Sequence, residues 1–204
     1  MKLKNLEMAL QRCEGYTRPR AALEQYQTPA PLAARLLFDA LMSGDIEGKR
    51  ICDPGCGTGV LAIGAALLGA ESVTGIEIDE GALKTARANA TLLGADVEFI
   101  PGDVKDALLP QRVGACNTVI MNPPFGAQNV HADRPFIDFA LNVAGVTYGI
   151  FNAGSIPFVA AYTAQRAEIT AKTGGKFLIK RTFAFHTRDS HEIEVEILRL
   201  KRIP

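Results

Sequence analysis

Leucines recur at helical spacing at the start of the chain, at Leu3, Leu6 and Leu10, and predict a short helix over residues 3–13. A loop with Gly15 and Pro19 follows. Pro29 and Pro31 then open a second helix that runs through Met42 on Leu32, Leu36, Leu37, Ala40 and Leu41, with Gly44 closing it. From Lys49 the periodicity changes. Short apolar runs at Arg50–Asp53, Ser72–Glu77, Val97–Ile100, Thr118–Met121 and Val146–Phe151 read as strands. Between and after them lie helical patterns: an Ala/Leu-rich stretch ending near Gly69, Glu80–Leu93 closed by Gly94, a segment around Phe136–Val143, and one over about residues 155–172. Strands alternating with helices specify a parallel sheet covered on both faces. The end differs. Lys176–His186 and Glu192–Lys201 are strand-like, and Ile193, Val195 and Ile197 alternate with Glu192, Glu194 and Glu196. This is a β-hairpin, so one strand must run antiparallel to the rest.

Composition narrows the picture. The 204 residues suit one compact domain, and 48% hydrophobic content excludes disorder of the whole chain. Lys plus Arg equals Asp plus Glu at 22, so strong non-specific nucleic-acid binding by net charge is disfavoured, while a local basic patch is not. The cysteines, Cys13, Cys52, Cys56 and Cys116, form no Cys-x-x-Cys pair and there are three histidines, so no metal site is expected. Free thiols suit a reducing cytoplasm. The start, Met1-Lys2-Leu3-Lys4-Asn5-Leu6-Glu7, is charged throughout and does not read as a signal peptide. Apolar runs fall short of a membrane span.

Asp53-Pro54-Gly55-Cys56-Gly57-Thr58-Gly59-Val60 joins the first strand to its helix. Glycines permit positive φ and close approach of backbone to a ligand. Ligands of open parallel sheets bind outside the carboxyl ends of the strands, where this turn lies. The spacing is Gly-x-Gly-x-Gly with Val at position 60, not the dinucleotide fingerprint, so a pyrophosphate cofactor is disfavoured and a phosphate-free one such as S-adenosylmethionine fits. Glu77 ends the second strand, where a carboxylate accepts hydrogen bonds from ribose hydroxyls, and Asp103, after the third, is placed for an exocyclic adenine amine. The bland reading is a tight turn, with Asp53 capping the following helix and Glu77 a solvated strand end. Three strand ends carrying such groups in succession weigh against it.

Asn122-Pro123-Pro124-Phe125 ends the fourth strand. An adenine amine is a poor nucleophile because its lone pair is delocalised. The Asn122 side-chain carbonyl and the Pro123 backbone carbonyl can accept its two N–H groups, favour a more pyramidal nitrogen and point the lone pair at a sulfonium methyl. Prolines hold that carbonyl rigidly. Phe125 can stack on the base for about 1–3 kcal/mol, and a base in a duplex must first be flipped out. No strong general base is required. The bland alternative is a Pro-rich strand terminator with Phe125 in the core.

The chain resembles class I S-adenosylmethionine-dependent methyltransferases with the Asn/Asp-Pro-Pro-aromatic signature. It is similar in particular to the methyltransferase-like-five family of small-subunit rRNA adenine-N6 methyltransferases, including archaeal relatives. The resemblance runs from Leu23 to about Arg199: Leu23-Glu24-Gln25-Tyr26-Gln27-Thr28-Pro29, Gly55-Cys56-Gly57, Gly75-Ile76-Glu77-Ile78-Asp79-Glu80, Val119 to Gly126, Phe185-His186 and Glu192 to Glu196. It implies a Rossmann-like α/β fold with a mostly parallel seven-stranded sheet and the C-terminal antiparallel hairpin. Residues 1–45 would form a helical cover and cofactor-closing segment on a single domain, with 46–204 as the core. Gln25 and Thr28 would close over the methionine end of S-adenosylmethionine, and Asp53, Gly55, Gly57, Thr58, Val60, Glu77, Asp103 and Asn122 would line its site. The family also implies an rRNA substrate and a heterodimer with a small zinc-binding activator protein that adds a strand to the sheet. Pro54, Glu77 and Gln27 depart from the usual family residues, and Ala127–Asp133 diverges and is expected to be mobile. Arg181, His186 and Arg188 are candidates for phosphate contact.

Competing functions remain. A protein glutamine-amide methyltransferase also needs two acceptors on an NH2, but its relatives carry Tyr where Phe125 stands and a separate N-terminal helical domain, against about 45 residues here before the first strand. A non-catalytic cofactor- or RNA-binding module does not need Asn122. A nicotinamide oxidoreductase is disfavoured by Val60.

Overall fold

The computed structural model describes residues 1–126, 131–180 and 190–203. Two helices, α1 (Leu3–Leu10) and α2 (Ala30–Met42), precede β1 (Arg50–Pro54). Then come α3 (Val60–Leu67), β2 (Ser72–Glu77), α4 (Glu80–Leu93), β3 (Glu98–Pro101), α5 (Leu109–Val113), β4 (Cys116–Met121), α6 (Arg134–Val143), β5 (Ala144–Asn152), α7 (Ile156–Thr163), β6 (Ala167–Lys180) and β7 (Ser190–Arg202). The seven strands form one sheet in the order β3-β2-β1-β4-β5-β7-β6. All neighbours from β3 to β5 are parallel; β7 is antiparallel to both β5 and β6.

The apolar runs of the central strands follow from burial on both faces. Successive residues of each strand point to opposite sides. Ile51, Ile120, Ile150 and Ile197 belong to a core beneath α1, α2, α3 and α4. Their neighbours Cys52, Val119, Phe151 and Leu198 belong to a second core beneath α5, α6 and α7. Ile193, Val195 and Ile197 join the first core, as their alternation with glutamates predicts.

Three expectations change. The helix expected over 155–172 stops at Thr163, and residues from Ala167 onward are strand. Arg166 N donates to Thr163 O and turns the chain, after which β6 pairs with β7 from Ala167↔Arg202 to Lys180↔Ser190, with a bulge between Ile169 and Ala171. The long ladder and the β-branched Ile169, Thr170 and Thr173 outweigh the helical propensity of the alanines. The hairpin therefore begins nine residues before the expected Lys176. The first helix ends at Leu10 rather than residue 13, and the loop after Asp103 contains the unforeseen short helix α5. Ala127–Val130 and Arg181, Phe185, His186 and Arg188 lie outside the described residues. No helix among the described residues is long and apolar enough to cross a membrane.

Candidate functional site

The sheet order reverses between β1 and β4, and the crevice outside the carboxyl ends of these strands is where such sheets bind ligands. A cavity of about 450 Å³ lies there. It is lined by Gln25, Thr28, Asp53, Gly55, Thr58, Val60, Glu77, Asp103, Asn122, Pro123, Pro124 and Phe125, so every residue expected to hold the cofactor or the target amine except Gly57 reaches it.

The glycine turn explains the exception. Gly55, Gly57 and Gly59 have φ of 71°, 56° and 88°, which side chains disfavour. Gly55 N and Cys56 N both donate to Ile76 O, at 2.8 and 2.9 Å, and pin the turn to the end of β2. A Cβ at Gly55 would stand 2.7 Å from the Phe136 ring, and one at Gly57 would overlap the Tyr16 hydroxyl. Gly57 is thus covered by Tyr16, and it is Tyr16 that lines the cavity. Asn89 holds this cover down. Its Oδ1 accepts from Glu14 N at 2.9 Å, and its Nδ2 donates to Glu14 O and to Thr58 O.

Asp53 does two things at once. Its Oδ2 accepts from Ala62 N in the first turn of α3 at 3.1 Å, the capping role that the bland reading assigned to it. Its Oδ1 is buried without a hydrogen bond. Burial pushes the Asp53 carboxyl well above the usual range, the bond from Ala62 opposes this, and the nearby Glu77 charge adds to the rise. Glu77, at the end of β2, accepts from Gly57 N and Asp79 N, each at 3.0 Å. Burial raises its pKa, with those backbone donors pulling the other way. Asp103 is half-buried; its Oδ1 accepts from Lys105 N at 2.9 Å, which closes the turn after β3.

The segment before α2 lies across the crevice as a strap. Gln25, almost fully buried, accepts from Arg20 N through Oε1 and donates through Nε2 to Asp79 Oδ2 at 3.0 Å. Asp79 also caps α4, with Oδ1 accepting from Gly81 N and Ala82 N. The bond from Gln25 is the main reason that its carboxyl sits below the ordinary range, with the cap bonds and Arg20 adding to the effect. Glu24, in the left-handed region at φ 49°, accepts from Gly126 N at 3.2 Å. Thr28 Oγ1 accepts from Asn122 Nδ2 at 3.0 Å. The strap therefore bridges the ends of β2 and β4, and it fixes the Asn122 amide. With Nδ2 engaged, Asn122 Oδ1 is buried and has no hydrogen-bond partner.

Phe125 packs edge-on against Phe177 of β6 at 5.6 Å and 78° while lining the cavity, so it belongs partly to the core and partly to the site. Sequence reasoning missed Tyr16, Phe136, His131 and Phe177. No motif marks them: Tyr16 and His131 come from loops, Phe136 from α6 and Phe177 from β6.

Comparison with known proteins gives the family and the fold. The family described as methyltransferase small domain matches residues 31–161. An uncharacterized protein of Methanocaldococcus jannaschii is 38% identical, with 100% of this chain and 95% of that protein covered. The Drosophila melanogaster rRNA N6-adenosine-methyltransferase Mettl5 is 33% identical over 98% of this chain and 97% of its own length. Among solved structures, a candidate RNA methyltransferase from Pyrococcus horikoshii superposes with a TM-score of 0.91 at 36% identity, covering 100% of this chain and 99% of that one.

Proposed function

The chain belongs to the methyltransferase small domain family and to the branch represented by the Drosophila Mettl5 enzyme, and from that membership we propose that it methylates the exocyclic N6 of an adenine in RNA, small-subunit rRNA being the substrate, with S-adenosylmethionine as donor. The observation that carries this reading is the buried, unpartnered Oδ1 of Asn122, an acceptor without a donor on a residue that lines the cavity. A buried acceptor left unpaired costs about 1–3 kcal/mol, a cost removed when a ligand N–H arrives.

The residues fit the donor. Asp53 Oδ1 and Thr58 Oγ1 are buried without partners, and Gly55 lines the cavity with bare backbone, where a Cβ would collide with the Phe136 ring. Glu77 would accept from ribose hydroxyls and Asp103 from the adenine amine of the cofactor. Gln25 and Thr28, on the strap, would close over its methionine end, and residues 1–45 would act as the cover of a single domain. When bound, S-adenosylmethionine supplies an electrophilic sulfonium methyl.

Asn122 and the backbone carbonyl of Pro123 accept the two N–H groups of the target amine and orient its lone pair. Thr28 holds the Asn122 amide with its oxygen free. Phe125, braced by Phe177, offers a ring to the base. The Tyr16 phenol, its pKa raised mainly by burial, stays neutral beside the glycine turn. A small zinc-binding activator protein completes the enzyme, and the compartment is the cytoplasm, where its free cysteines stay reduced.

Purified protein, labelled S-adenosylmethionine and small-subunit rRNA, with and without the activator, test this reading. Label should appear on adenine N6 and vanish in Asn122→Ala. Label absent from RNA under both conditions, or full activity in the variant, sinks it.

A further inference from the structure

A second feature begins at the cavity rim. His131, which lines the cavity, has φ 65° and stacks on Phe158 of α7 at 5.4 Å with ring planes 29° apart. Phe158 stacks in turn on Tyr162, one helical turn further, at 5.5 Å and 24°. The Arg134 guanidinium lies 4.9 Å from the Phe158 centroid and 5.3 Å from that of Tyr162, and Arg166 lies 4.9 Å from Tyr162. A ladder of three rings flanked by two cations thus leads away from Asn122.

We propose that this ladder is the docking surface for the single-stranded RNA that flanks the target adenine, with a neighbouring base on the open face of His131 and the phosphates on Arg134 and Arg166. This rests on the RNA reading of the site given above. Charge carries the argument. Arg166 and the Tyr162 hydroxyl share Asp138, at 2.7 and 2.8 Å, so this cation is partly neutralised within the protein. Arg134 is different: it makes no ion pair among the described residues, and its Nε is buried without a hydrogen bond. A guanidinium laid on aromatic faces, with its Nε unpartnered and no ion pair among the described residues, suits an anion that arrives with its own planar groups. Phe158 and Tyr162 rest one side on the core beneath α6, which explains their presence; it does not explain an exposed His131 and an unpaired Arg134 lying over them. Since every base has a π-face, such a surface tolerates sequence variation while holding the strand near the pocket. An acidic peptide would satisfy Arg134 and leave the His131 face unused.

The test uses the full chain, a fluorescein-labelled single-stranded RNA of about 12 nucleotides containing one adenine, and its blunt duplex. Arg134→Gln keeps length and loses charge; Phe158→Leu keeps apolar bulk and loses the ring. Each should weaken single-strand binding about tenfold, with S-adenosylmethionine affinity unchanged. Arg134→Gln should also flatten the salt dependence by about one unit of slope. On rRNA, KM should rise with kcat retained. Unchanged oligonucleotide affinity in both variants overturns the proposal, even if Asn122→Ala still abolishes methyl transfer and the activity reading stands. Binding that weakens in both variants while the wild type methylates no RNA upholds the ladder and fails the activity reading instead. Tighter binding of the duplex than of the single strand, or displacement of the RNA by an acidic peptide at equal concentration, also overturns it.

Discussion

The two ends of the sheet handle buried polar groups in opposite ways. At the amino ends of the central strands, Asp45 Oδ2 accepts from the Tyr148 hydroxyl at 2.7 Å and from Arg199 Nε at 2.9 Å. Arg199 also donates to the Tyr148 oxygen and to Thr170, and Thr118 Oγ1 donates to Asp45 O. The network closes on itself across the connection before β1 and four strands. At the carboxyl ends, Asp53 Oδ1, Thr58 Oγ1 and Asn122 Oδ1 are buried without partners, and burial pushes Asp53 and Glu77 up. One end spends its polar groups on the fold, with the Thr147 hydroxyl as an exception. The other keeps them unspent for a ligand, which is how a binding site differs from a structural cluster of similar composition.

The sharpest way to break the contrast is Asn122→Ala. Loss of an oriented polar group of this kind costs about 2.7–4 kcal/mol, so methyl transfer should fall by about a hundredfold to a thousandfold, while stability should fall only by about 1 kcal/mol, for the single bond from Nδ2 to Thr28, since Oδ1 has no partner to lose. A variant that melts early would mean that Asn122 serves the fold. Asp45→Ala should give the mirror image. Removing one partner of this mostly buried ion pair should cost about 3 kcal/mol in urea unfolding and leave S-adenosylmethionine binding intact under native conditions. Unaltered stability there would erase the distinction.

Acidity gives a finer contrast. Glu77 has a folded pKa raised above 4.5, so cofactor affinity should fall as the pH drops through that raised value, and Glu77→Gln should flatten the profile, as calorimetry across pH would show. The stability of the cofactor-free protein moves the other way. A raised carboxyl contributes stability that is present below its unfolded pKa and lost as pH rises through the folded one. Asp79 is lowered from 3.8, so its contribution is present above that value and lost as pH falls through the depressed one. Asp79→Ala should therefore cost about 1 kcal/mol at neutral pH through the lost cap of α4, and the gap to wild type should close in strong acid. A gap that persists there would show that the charge of Asp79 contributes nothing.

Much of this was legible in advance because it depends on local rules. The left-handed glycines after β1, the carboxylate ending β2 and the Asn-Pro-Pro-Phe turn after β4 declare themselves by residue type and spacing. The strand assignment failed in one place for a physical reason: residues 167–172 are alanine-containing and ambiguous alone, and they become strand because thirteen-residue β7 offers them a ladder.

What the chain determines by itself is therefore the order of its elements, the antiparallel β7 and the chemical groups at the strand ends, since backbone sterics and side-chain alternation act over a few residues. Which way the Asn122 amide turns, which phenol covers Gly57 and which cation lies on the Phe158 ring are settled only when Thr28, Tyr16 and Arg134 arrive from elsewhere in the fold. Those outcomes depend on contacts between distant segments, and hydrogen-bond satisfaction is decided by the neighbours that folding supplies.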